Sequence, residues 1–161
     1  MRKFLLMLLV SCHVASFQIV VAYAAGYESA EDALQSYKKA VHLIDQRKFS
    51  GAISLLKESL NVDIEDRAQK AGVFHMLGYS YRKTGRFKSA LGYYKQALKL
   101  KPDHRGAHEY IGEAYLALKN PELAKYHLDR LQIICGTLCE EYKDLKEAYD
   151  AYTAGTRLGG R

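Results

Sequence analysis

Histidine, cysteine and carboxylate side chains would carry any chemistry in this chain, and their spacing decides which chemistry is open. The six histidines are His13, His42, His75, His104, His108 and His127. A hydrolase needs a nucleophile, a base and an orienting group brought together. None of the six stands in a nucleophile elbow, an H-E-x-x-H pair or another recognised setting. His104 and His108 are four apart, a spacing that can put two imidazoles on one helix face and suit a metal. But His104 follows Pro102-Asp103, where a helix begins, and His108 stands 34 residues after Phe74, at the same apolar packing position. A packed histidine is therefore the expectation, with no metal. No Gly-rich phosphate loop is present, since Gly155 and Gly159-Gly160 belong to the C-terminal tail. The residues predict neither an enzyme nor a cofactor site.

Cysteine offers a second chemistry. Cys135 and Cys139 form C-x3-C, not the C-x-x-C of redox proteins. They flank Gly136-Thr137, a turn between two helices. An even pair in an oxidising compartment predicts a disulfide pinning the last helix to what precedes it. So short a loop stabilises by about 2 kcal/mol or less, and its Cα atoms must come within about 7 Å. Two packed free thiols are the alternative.

The compartment is read from the N-terminus. Arg2 and Lys3 precede apolar residues from Phe4 to Val10, then the weaker Ser11-Cys12-His13, then apolar residues to Val21 and the A-x-A site Ala22-Tyr23-Ala24. This pattern predicts a secretory signal peptide over residues 1–24 and a periplasmic or secreted protein. The alternatives are an N-terminal membrane anchor, because Phe4 to Ala25 is long enough to span a bilayer, and a lipoprotein box at Leu9-Val10-Ser11-Cys12. Of 24 basic residues, the leader removes Arg2 and Lys3, leaving 22 against 18 acidic ones. That mild excess does not predict nucleic-acid binding, and after cleavage no membrane insertion is expected.

Stepping outward from these residues, three segments repeat one another. Phe74, Leu77, Gly78 and Tyr81 are followed by Gly85, Phe87, Ala90, Tyr94, Ala97 and Pro102. Advancing 34 residues gives His108, Ile111, Gly112 and Tyr115, then Pro121, Ala124, Leu128 and Leu131. Phe49, Ala52, Leu56 and Ser59 form a third, partial copy, with four extra residues before the next. Steps of three and four mark helix faces, and a period of this size marks stacked helical hairpins. Gly78 in a helix interior costs about 1 kcal/mol relative to Ala and implies a close neighbouring helix. Gly85, Asn120-Pro121 and Asp103 read as helix punctuation. Thr137 to Glu140 reads as a capping box. Lys146 stands at the register of Gly78 and Gly112, so no further helix should press there.

This pattern resembles the tetratricopeptide repeat family, whose pattern is W-x2-L-G-x2-Y, A-x3-F and P over 34 residues. The resemblance implies an all-α fold, a short solenoid of about three antiparallel hairpins with a C-terminal capping helix. The organisation is then a 25–32 lead-in, an array over 33–138 (33–66 degenerate, 71–104 and 105–138), a capping helix over 139–153 and a flexible tail over 154–161. It also implies a concave groove lined by the first helix of each hairpin. Carried onto this sequence, groove positions fall on Gly72, His75, Tyr79, Arg82 and Lys83, on Gly106, Glu109, Glu113 and Leu116, and on Tyr37, Val41 and Ile44. Chaperone-binding members clamp a C-terminal carboxylate with a Lys/Asn/Arg set, whose Asn is replaced here by Tyr79.

Two functions follow as expectations. One is an exported, non-enzymatic adaptor that binds a peptide or protein partner in its groove, in an envelope complex. The other is an assembly factor that self-associates or uses its convex face. The oligomeric state is left open.

Overall fold

Apolar side chains at steps of three and four residues form each helix and choose the face it buries. The computed structural model describes residues 31–159, with side chains through residue 155. Among these residues are seven helices and no strand: α1 (31–45), α2 (Phe49–Glu58), α3 (Arg67–Lys83), α4 (Phe87–Leu100), α5 (Arg105–Ala117), α6 (Pro121–Cys135) and α7 (Glu140–Gly159). α3 packs on α4 and α5 on α6. Neighbouring hairpins meet through α2–α3 and α4–α5, and α7 closes the array against α5 and α6. The structure is thus the expected all-α solenoid of three antiparallel hairpins with a capping helix. One apolar core runs from Ala40, Ala52 and Leu56 through Leu77 and Tyr94 to Ile111. A second, formed by Leu116, Leu128, Leu131 and Leu145, seats α7.

Two glycines set the closest helix contacts. A Cβ on Gly78 would lie 2.5 Å from the Tyr94 ring, and one on Gly112 would lie 2.5 Å from the Leu145 side chain. Both distances are inside van der Waals contact, so these helices pack through bare backbone. Lys146, at the equivalent register of α7, is half exposed and pairs with Asp150.

Each hairpin turns through one left-handed residue: Arg47 at φ 58°, Gly85 at φ 76° and Lys119 at φ 59°. The closing bonds are equivalent, from Lys48 N–H to Leu43 C=O at 2.8 Å, Arg86 to Tyr81 at 2.9 Å and Asn120 to Tyr115 at 2.8 Å. This is the helix-terminating turn that favours glycine. Only Gly85 adopts it without the Cβ penalty of about 1 kcal/mol.

Several details differ from the sequence reading. The four extra residues, Arg67 to Lys70, lengthen α3 by one turn, capped by the Asp66 carboxylate, which accepts from Ala68 and Gln69 N–H. The cap of α5 is His104, not Asp103. The turn closed by His104 N–H on Lys101 C=O places His104 last before the helix, and its Nδ1 accepts from Ala107 N–H. α7 begins after Cys139, whose carbonyl accepts from Lys143 N–H, so Thr137 lies too early to cap it. Helix also covers 154–159, expected as tail. Tyr142, Leu145, Tyr149 and Tyr152 keep one face of α7 on the second core, and a lone Gly155 costs only about 1 kcal/mol. No helix of the described residues is long and apolar enough to cross a membrane. The 1–24 leader, its anchor alternative and most of the 25–32 lead-in lie outside the described residues.

The turn and contact geometry make opposite predictions for two substitutions. Gly78→Ala should lower stability by about 1–3 kcal/mol, because Tyr94 must move off the α3 backbone. Lys119→Gly should raise it by about 0.5–1 kcal/mol, by relieving a left-handed non-glycine residue. Urea unfolding midpoints of the two variants measure both.

Candidate functional site

His75, Tyr79, Arg82 and Lys83 follow one another along α3 at helical spacing, and Glu109 and Glu113 do so along α5. Because α3 and α5 lie side by side, the two rows meet. Arg82 Nη1 donates to Glu113 Oε2 between the helices. The guanidinium carbon of Arg82 also lies 4.4 Å from the Tyr110 ring centre and 5.5 Å from that of Tyr79. Lys83 Nζ stands 5.3 Å from the Tyr79 ring. Phe49 meets Tyr79 edge-on with ring centres 6.2 Å apart. Arg82 is therefore bound through charge on one side and through aromatic faces on the other, and both interactions hold it in place.

The floor below is aromatic. His75 stacks on His104 at 4.6 Å and on Tyr110 at 5.4 Å, and the Tyr94 ring lies 5.8 Å away. Gly106 leaves room for this stack, since a Cβ there would come within 3.0 Å of His75. His75 Nδ1, Arg82 Nε and Tyr94 Oη are buried without a hydrogen-bond partner among the described residues. Burial, then His104 and Arg82, push the His75 pKa down to about 3, so this imidazole is neutral. Burial, then the Glu109 charge, push the Tyr110 phenol up to about 12.

Glu109 differs from its neighbour. Glu113 has a cation, but Glu109 is 7% exposed and makes no hydrogen bond or ion pair among the described residues. Burial raises its pKa to about 8; Glu113 and Asp144 add to this, Arg82 opposes it, and Glu141 contributes least. Asp144 and Glu141 belong to α7, so the capping helix lends charge to the groove. Arg105 answers only Glu141, with Nε 3.4 Å from its carboxylate.

The structure brings His75, Tyr79, Arg82, Lys83, Glu109 and Glu113 to one surface. Tyr37 makes none of these ring contacts and lines a separate cleft with Val62, Ile64 and Val73 at the start of α3. Tyr110, Tyr94 and His104 complete the site and were missed as groove residues. Tyr110 follows the groove position Glu109, Tyr94 is a packing position and His104 precedes α5; for the two tyrosines only the high count of 13 was a hint.

The two histidines that sequence spacing grouped turn apart. His104 caps α5 and stacks on His75. His108 is buried, with Nδ1 2.9 Å from Nδ1 of His127 and Nε2 3.0 Å from Pro102 C=O. A carbonyl only accepts, so His108 Nε2 carries hydrogen and His127 Nδ1–H donates to His108 Nδ1. Protonating His108 would set two donors face to face. Burial lowers both pKa values, that of His127 to about 3 with help from His108 and Lys95. These are packed histidines, not a ligand set. Cys135 and Cys139 sit with Cα atoms 5.9 Å apart, within the reach a disulfide needs and beside the Glu141 carboxylate.

Residues 75–136 match the family described as tetratricopeptide repeat. No curated protein matches the chain. Among solved structures, the first tetratricopeptide domain of Spaghetti (RPAP3), bound to the HSP90 peptide SRMEEVD, is 20% identical with a TM-score of 0.65, covering 77% of this chain and 98% of that one. The TPR2B domain of yeast Sti1, in a complex with Hsp70, is 15% identical with a TM-score of 0.68, covering 78% and 99%. The Yersinia enterocolitica type III secretion chaperone SycD, with a peptide of the translocator YopD, is 17% identical with a TM-score of 0.63, covering 79% and 93%. At these identities the likeness establishes the fold.

The buried titratable groups give stability a two-sided pH dependence. Histidines with depressed pKa bind protons in the unfolded state first, so their contribution is lost as pH falls below about 6.5. Glu109, with a raised pKa, works oppositely: its contribution is present below about 4.5 and lost as pH rises through about 8. From pH 7 to 5 the Glu109 term therefore opposes the histidine loss. Glu109→Gln should lose more stability than the parent over this interval, by about 1–2 kcal/mol. Urea denaturation of both proteins at pH 5 and 7 measures the difference.

Proposed function

Because the chain is a tetratricopeptide repeat protein over residues 75–136, we propose that it is an exported, non-enzymatic scaffold whose concave groove binds a peptide segment of a partner protein. The observation that carries this reading is the surface between α3 and α5. Tyr79, Tyr110 and Arg82 form a rigid, half-buried platform of the residue types that dominate binding hot spots. Beside it lie buried polar atoms, His75 Nδ1, Arg82 Nε and Tyr94 Oη, that have no hydrogen-bond partner among the described residues. Similar folds bind peptides in the RPAP3 and SycD complexes, which supports this use of the surface. The carboxylate clamp is a poor fit here. Tyr79 replaces its Asn, and Arg82 is already held by Glu113.

Export rests on the leader sequence and agrees with the paired Cys135 and Cys139, since disulfides persist in oxidising compartments. A role in an envelope complex follows from that address. A second reading has its own observation. Leu123, Tyr126 and Ile133 on α6 are 40%, 56% and 72% exposed and share one stripe of that helix. Such a stripe on the outer helix suits self-association.

Two measurements check these proposals. A photo-crosslinking residue at Tyr79 in cells should capture a partner, and the same residue at exposed Lys88 on α4 should not. Equal yields, or none at Tyr79, would sink the groove reading. An adduct only with the chain itself, formed from Tyr126, would favour self-association. Intact mass of the protein from its native host should begin at Ala25 and lack two hydrogens relative to the reduced chain. A mass that retains residues 1–24 would overturn cleavage.

A further inference from the structure

Glu109 is a buried acidic side chain of the groove without a cation of its own among the described residues. The residue is 7% exposed and its carboxyl makes no hydrogen bond or ion pair among the described residues, so it is partly dehydrated and gains no bond in return. The surrounding charges make this worse. Glu113 follows on the same helix, and Glu141 and Asp144 approach from α7. The cations nearby are committed elsewhere: Arg82 on α3 to Glu113 and Arg105 on α5 to Glu141. Two carboxyls, Glu109 and exposed Asp144, form no ion pair among the described residues. Adjacent aromatic faces at Tyr110 and Tyr79 already hold one cation, Arg82, and form an apolar wall next to the unpaired carboxyl.

We propose that the surface where α5 meets α7, with Glu109 flanked by Glu113, Glu141 and Asp144, receives a cationic side chain, a lysine or arginine, of the bound peptide. This rests on the peptide-groove reading and specifies its ligand. The incoming cation supplies the missing charge, and Glu109 ionises to meet it. Since the free carboxyl has a pKa of about 8, binding near neutral pH expels a proton. The preference is opposite in sign to that of a carboxylate clamp.

The test uses the purified mature chain, residues 25–161, and a library of N-acetylated, C-amidated dodecapeptides without fixed charge. Peptides retained by the parent but not by Tyr79→Ala should share a Lys or Arg at one position. For a selected peptide, replacing that Lys with norleucine should weaken binding about tenfold or more, as expected for a buried charge pair. Glu109→Gln should erase the difference between the two peptides while circular dichroism stays unchanged. Asp144→Asn, at an exposed site that leaves the fold intact, should reduce it. Affinity for the Lys peptide should rise about tenfold per pH unit up to about pH 8. Its binding heat should vary with the ionisation enthalpy of the buffer, reporting the released proton. Retained peptides with acidic or no charge preference would overturn the cation site and leave the groove reading standing. If no peptide is retained above the Tyr79→Ala background, both fall. A Lys preference unaltered in both Glu109→Gln and Asp144→Asn would place the cation elsewhere and overturn the assignment.

Discussion

Close approach of helices at two glycines is the constraint on which the rest depends. Gly78 lets the Tyr94 ring lie against the backbone of α3. That ring then supports His75 and Tyr110 from below. Those two in turn fix the height of Arg82, which rests on Tyr110. Gly112 repeats the device one unit later and receives Leu145. With Leu145 seated, its neighbour Asp144 and nearby Glu141 are brought toward Glu109. A pair of missing methyl groups therefore sets both halves of the groove: the aromatic floor through Gly78 and the acidic wall through Gly112.

Arg82 links the two halves. An exposed ion pair contributes little, because water screens it and two flexible side chains must be ordered. Here most of that ordering is already in place. Aromatic rings confine the guanidinium, and its partner Glu113 sits on a packed helix. The pair bridges α3 and α5 across adjacent hairpins, where direct packing is sparse because the second helices carry most of the interface. It thus acts as a register pin between repeats as much as a source of stability. It also removes Arg82 from the pool of cations that could answer Glu109.

The architecture was legible because packing positions recur. Leu77, Gly78 and Tyr81 are answered by Ile111, Gly112 and Tyr115, and repetition separates signal from coincidence. The candidate site was legible only in part. His75, Tyr79, Arg82, Glu109 and Glu113 could be placed by register, but their partners could not. Nothing in the spacing says that Arg82 pairs across 31 residues with Glu113, or that His108 turns to His127 and leaves His104 for His75. Tyr110 and Tyr94 were hidden for a different reason: one neighbours a groove position and the other is a core position, yet both rings extend far enough to floor the groove. The cap errors at Asp103 and Thr137 have one origin. Several polar residues near a helix start can all cap in principle, and the turn before the helix selects one.

Glu109 shows how a local conflict can carry information. Other buried polar groups are bonded within the fold: Ser59 Oγ donates to Leu56 C=O, and His108 and His127 satisfy each other. A sequence selected only for folding would not keep a carboxylate at Glu109, where a neutral side chain of similar shape would avoid both desolvation and the repulsion of Glu113 and α7. Consistency across levels is the rule for natural sequences, and violations concentrate where function imposes another demand. The penalty at Glu109 is also removable from outside. A bound cation restores favourable electrostatics without moving the backbone, so occupancy and fold stability are linked through one side chain. The same desolvation that weakens the empty protein at high pH would strengthen its grip on a positively charged partner.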